Sequence, residues 1–112
     1  MDPSTEDAKL ITLARSARAR INSHVGAAVR DQDGRTYVAG NVTLDSLSID
    51  ALPLAVAMAI SSGARKLEAC AVVFQHPDQA VVDLSSIREL SGHGIPVHLA
   101  DDAGNVFAVH ES

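Results

Sequence analysis

The chain has 112 residues, 46% of them hydrophobic, and a formal net charge of −5. That is one domain's worth of globular sequence, so residues 1–112 are read as a single domain. The acidic balance lacks the basic stripe of a DNA or RNA reader, and three aromatics (Tyr37, Phe74, Phe107) leave little scope for base stacking, so no nucleic-acid partner is expected. In chain order, "DPSTEDAKLITLARSARARI" predicts the first helix, capped by Ser4 or Thr5 with acids just inside to suit the dipole. Leu10, Leu13, Ala14, Ala17 and Ile21 recur at helical spacing and mark its packing face. Arg15, Arg18, Arg20, Arg30 and Arg35 are read as a solvated helix face plus a hairpin.

"HVGAAVRDQDGRTYVAGNV" predicts a β-hairpin, with Val25 to Arg30 and Arg35 to Val42 flanking a turn that wants a positive φ at Gly34. Gly26, Ala27 and Ala28 make a narrow first strand that a helix or ligand can approach closely. "SIDALPLAVAMAISSG" predicts a second helix capped by Ser48 or Asp50, with Pro53 tolerated in its first turn. Leu52, Leu54, Val56, Met58 and Ile60 occupy every side of it, and a helix apolar all round is buried all round. One sheet covers only one flank, so other helices or other subunits are expected on the rest.

"KLEACAVVFQ" predicts a strand inside the sheet, apolar on both faces. "HPDQAVV" is a loop, and "DLSSIRELSG" a short helix capped by Asp83 and ended by Gly92. Val97 to Ala100 and Asn105 to Val109 form a closing strand pair around Gly104. The order α-β-β-α-β-α-β-β gives a layered α/β or α+β domain. A lone cysteine, Cys70, excludes an internal disulfide and suits a reducing compartment. The polar start "MDPSTED" is no signal peptide, and the longest uncharged run is too short to span a bilayer. A cytoplasmic protein with no membrane contact is expected.

Four stretches, in order and at near-family spacing, resemble the small nucleoside-type cytidine deaminases. They are "ARSARAR", "VGAAVRDQDGRTYVAGNV", "LAVAMAISSGARKLEACAVV" and "DDAGNVFAV". The resemblance implies a three-layer α-β-α fold with a mixed five-stranded sheet and about three helices. It also implies Zn²⁺ on three His or Cys ligands, with a Glu moving protons between the metal-bound water and the base. The family's C-A-E falls on Asp50-Ala51-Leu52, and its P-C-x-x-C on Val82-Asp83-Leu84-Ser85-Ser86. Ligand positions thus hold Asp50, Asp83 and Ser86, and the proton carrier is Leu52. Hard oxygen groups replace soft ligands, and neutral Ser is a poor zinc ligand. No Glu occurs between Tyr37 and Lys66, so no change of register supplies one. Neither zinc nor another cofactor is expected.

The family's ribose-holding N-x-E stands here as Asn41-Val42-Thr43, so Asn41 and Thr43, with the narrow Gly26 and Ala27, are the candidate nucleoside-binding residues. The aromatic and proline of the family before V-G-A-A are Ser23 and His24. Asp50, Asp83 and Ser86 allow a hard-cation site, against the simpler reading that both acids are helix N-caps. His24, His76, His93, His98 and His110 are scattered and suggest no metal site, with His98 read as a surface or subunit-contact residue. Cys70 is read as an inert core thiol, and Ser85 and Ser86 as a helix start rather than a nucleophile. The leading expectation is a catalytically inactive deaminase-like scaffold, a homodimer or homotetramer engaged in binding or assembly with an unidentified protein partner. The alternatives are a nucleoside deaminase with an atypical site and a sensor that binds a nucleoside without reacting it.

Overall fold

Strand β5 (Leu67–Phe74) runs through the middle of the sheet with only Glu68 exposed along it. Apolar side chains on both of its faces require a layer on each side, and the fold supplies both. In the computed structural model, which describes residues 3–112, α1 is Thr5–Arg20, β1 Val25–Asp31 and β2 Thr36–Gly40. A short antiparallel ladder, β3 (Val42–Thr43) with β4 (Ser48–Ile49), precedes α2 (Ala51–Ser61). After β5 come a 3-10 turn at Pro77–Gln79, α3 (Ser85–Ser91), β6 (Pro96–Asp101) and β7 (Val106–Glu111). The sheet order is β2-β1-β5-β6-β7, with β5–β6 parallel and the other pairs antiparallel. The expected mixed five-stranded sheet with three helices is what forms. The β3–β4 ladder, two residues on each side, is an addition to the expected order.

Alternation along the strands sorts the two cores. Ala28, Ala69, Ala71, Val73 and Ala100 face α1 and meet Leu10, Ile11 and Ala14. Ala27, Val29, Cys70, Val72, Phe74, Val97 and Leu99 face the opposite layer of α2 and α3. The α1 floor is nearly all glycine and alanine, so the helix backbone settles onto the sheet. A Cβ at Gly26 would collide with the Ala14 carbonyl oxygen and sit 2.9 Å from Arg18 Cβ. The narrowness of β1 therefore serves a helix. Ile11 joins this face unforeseen, whereas Ile21, expected inside it, is 50% exposed just past the helix end.

Local chemistry fixes the ends. Ser4 Oγ caps α1 by accepting the Asp7 N–H at 3.2 Å. Both hairpins turn on the same device. Asp31 Oδ1 accepts the N–H of Asp33 and of Arg35, and Asp101 Oδ1 accepts those of Ala103 and Asn105. Gly34 (φ +80°) and Gly104 (φ +90°) supply the left-handed step three residues after each aspartate. Asp31 is buried, and burial pushes its carboxyl up. The Tyr37 hydroxyl at 2.9 Å and the two turn amides outweigh that and hold it below the ordinary range.

Two expectations about polar and apolar burial need correction. His98 is not a surface residue: it is 6% exposed, and its Nε2–H donates to Asp7 Oδ2 at 2.9 Å. Arg30 is not on a wet face either, since Nη2 pairs with Asp7 Oδ1 at 3.0 Å and Nε with Glu68 at 3.1 Å. The reason is that Ala69 and Ala71 separate Arg30 from His98 on the sheet, leaving a low place where the Asp7 carboxylate bridges them. The all-round burial expected for α2 is also not met within one chain. Leu52, Ala55, Val56 and Ala59 are buried, but Met58 is 38% and Ile60 50% exposed. Among the described residues no helix is long and apolar enough to cross a membrane.

Candidate functional site

Where α2 begins, the chain has just left β4, and the C-terminal end of β5 lies beside it. A cavity of about 150 Å³ opens there. Ala51, Leu52, Val72 and Phe74 form a buried floor. Exposed His24, Asp50, His76, Val81 and Asp83 form the rim. Antiparallel pairing of Val25 with Phe74 explains the two histidines. One precedes β1 and the other follows β5, so the pairing brings both to the same end of the sheet. Their ring centroids are 5.6 Å apart, and His24 Nδ1 lies 3.0 Å from Gln75 Oε1. Far apart in the sequence, the two histidines are joined only by the strand register.

The positions singled out from sequence divide. Asp50, Leu52, Asp83 and Asn41 line this one cavity. Ser86 does not: it lies on a separate depression with Ile60, Ser85, Glu89 and Leu90. Thr43 is exposed on the β3–β4 ladder, Gly26 lies beneath α1, and Ala27 is buried in the core on the α2 side.

Asn41 has a structural role at the cavity edge. Its Oδ1 accepts the Ala51 N–H at 2.8 Å, and its own N–H donates to Ser23 Oγ at 3.0 Å. An Asn from another segment thus caps α2, while the Asp50 side chain at the N-cap position makes no hydrogen bond to the helix. Asn41→Ala should lower stability by about 1 kcal/mol, the value of a lost cap. A urea titration measures it, and an unchanged midpoint would remove Asn41 from this role. Asp83, expected to cap α3, stands one residue before the N-cap position, which Leu84 holds, because α3 begins only at Ser85. Asp83 Oδ1 accepts the Ser85 N–H at 2.9 Å and the Ser85 hydroxyl at 2.6 Å. These bonds hold the Asp83 carboxyl below its ordinary range, so it is ionised at neutral pH.

Among the described residues no three of His, Cys, Asp or Glu gather as a metal site requires. Cys70 faces the α2 layer from β5, fully buried, and burial pushes its thiol up to about 12. It is a core residue and no thiolate source.

The sequence profile described as cytidine deaminase-like matches residues 3–104. The chain belongs to the cytidine deaminase-like family. Among solved structures it is similar to the cytidine deaminase from Burkholderia pseudomallei, at 27% identity and a TM-score of 0.77, over 91% of this chain and 89% of that one. It is also similar to the cytidine deaminase from Mycobacterium tuberculosis, at 25% identity and a TM-score of 0.67, over 86% and 85%. The Mycobacterium leprae cytidine deaminase, at 21% identity, shares the fold with a TM-score of 0.71 over 98% and 94%. No curated protein sequence matches the chain.

Proposed function

We propose that this member of the cytidine deaminase-like family is a catalytically inactive scaffold, an oligomeric binding or assembly protein of the cytoplasm. One observation carries the reading. Leu52, at the position of the family's proton carrier, is 3% exposed and forms part of the apolar floor. An aliphatic side chain packed there moves no proton, and loss of general acid–base catalysis alone costs about 10²–10⁴ in rate. The reading is also supported by Ser86, which is not among the residues lining the cavity that Asp50 and Asp83 share. Protein purified without chelators should carry no stoichiometric zinc and leave the cytidine absorbance unchanged. Stoichiometric zinc with turnover would overturn the reading.

The oligomeric part draws on α2. Leu54, Ala57 and Met58 line a shallow groove with Tyr37, and Met58 is 38% exposed there. An apolar helix face of this kind is covered favourably by a second copy in a two-fold interface. Sedimentation should find a dimer or tetramer. Ala57→Glu with Met58→Glu, both exposed on this groove, should weaken association at least about tenfold, since each buries a charge in the interface. A monomeric wild-type chain at micromolar concentration would remove this part of the proposal.

A further inference from the structure

The same cavity has a chemical polarity of its own. Asp50 and Asp83 stand on its rim, and none of its lining residues is Lys or Arg. Neither carboxylate takes part in an ion pair among the described residues. Asp50 makes no bond to the helix it starts, because Asn41 caps that helix, and Asp83 Oδ2 accepts no protein hydrogen bond. The floor, by contrast, is apolar: Leu52, Pro53, Val72, Phe74 and Val82. A negative rim over an apolar floor selects a cation with a hydrophobic body and repels phosphates and carboxylates.

Size narrows the choice. The volume, about 150 Å³, equals that of an engineered protein cavity that takes up benzene, about 150 Å³. One ring fits inside. His24 and His76, with rings 5.6 Å apart and tilted by 38°, add two flat edges against which such a ring rests.

We propose that this cavity binds a small organic ammonium, a primary amine carried on a single ring or an apolar body of that size. The proposal rests on the reading that the site performs no deamination, and it names what the remaining site would hold. The ring lies on Leu52, Val72 and Phe74, and the ammonium donates to the free carboxylate oxygens of Asp50 and Asp83. Charge-assisted hydrogen bonds of this kind are about twice as strong as neutral ones.

Calorimetric titration of the whole chain tests this with benzylamine, benzyl alcohol as its neutral counterpart, benzoate and cytidine. Benzylamine should bind at least about tenfold more tightly than benzyl alcohol or cytidine, which carry no positive charge, with no heat from benzoate. Asp50→Asn and Asp83→Asn should each weaken benzylamine about tenfold. Asp33→Asn, which removes an exposed charge from the hairpin turn, should leave binding unchanged. Asp50 makes no side-chain bond to its helix, and Asn at 83 keeps an acceptor for Ser85, so both site variants should melt near the wild type. Equal binding of the alcohol, tighter binding of benzoate or cytidine, indifference to both substitutions, or no binding by any of the four compounds overturns the proposal. Zinc-dependent loss of cytidine absorbance is a separate readout, and it would instead overturn the inactive-scaffold reading.

Discussion

Asp7→Ala lowers the unfolding free energy by about 2–3 kcal/mol, the range for a largely buried ion whose partners are left behind. Asp7 sits in the first turn of α1, and its two oxygens serve two different strands. One meets Arg30 on β1 at 3.0 Å and the other His98 on β6 at 2.9 Å. All three side chains are at most 15% exposed, so water substitutes poorly for the lost carboxylate. The cluster also has no spare capacity, because Arg30 Nη1 and His98 Nδ1 are already buried without partners. The loss should read as a lower urea midpoint at an unchanged slope. Asp7→Asn, which keeps one acceptor, should lose roughly half as much.

The sign of the pH dependence follows from the same contacts. Burial pushes the Asp7 carboxyl up, but the hydrogen bonds from His98 and Arg30 outweigh it and hold the group below its ordinary value. A depressed carboxylate stabilises the fold at every pH above its unfolded value of about 4 and loses that contribution as pH falls through the lower folded value. Through Asp7's own titration, the gap between wild type and Asp7→Ala should therefore hold at neutral pH and close below about pH 4. A gap that widened on acidification would mean that Asp7 is not held as an anion.

Most of the frame was legible because it depends on local pattern. The two D-x-x-G turns announce themselves as "DQDG" and "DDAG", and each places a strand pair on either side. The unbroken apolar run of β5 could only lie between two layers. What stayed hidden depends on contacts across distance. Nothing local in "VHLA" says that His98 meets an aspartate 91 positions earlier in the chain. Alternation suggested an outward side chain, and it does point away from the α2 core, but toward α1 rather than solvent. Asn41 matched a sugar-binding pattern, yet its carbonyl was needed by α2, whose own N-cap residue does not serve it. Ser86 matched by count alone. Counting assigns it to a zinc site, while the fold lines a different depression with it from the one Asp83 lines. The histidine pair required knowing that β1 and β5 run antiparallel and adjacent.

Restoring the family's acid at its expected position should be costly. Leu52→Glu is predicted to destabilise the chain by about 3–5 kcal/mol, the effect of a buried charge without a partner. The side chain would stand among Ala51, Ala55, Val56, Val72 and Phe74 with no cation in the cavity lining. Burial raises such a carboxyl above its unfolded value of about 4.3, because only the neutral form is tolerated there. A group raised in the folded state contributes fully below its unfolded value and loses that contribution as pH rises. The melting temperature of Leu52→Glu should thus approach the wild type near pH 4 and fall behind it steadily toward pH 8. Leu52→Met, similar in volume, should cost less than about 1.5 kcal/mol at any pH. Adding zinc at neutral pH separates two accounts of this cavity. If Asp50, Asp83 and Ser86 cannot converge on a metal, the ion leaves the Leu52→Glu melt unchanged. A large zinc-dependent rise would mean that the ligand positions do close on a cation and that a single aliphatic residue silences an otherwise competent site.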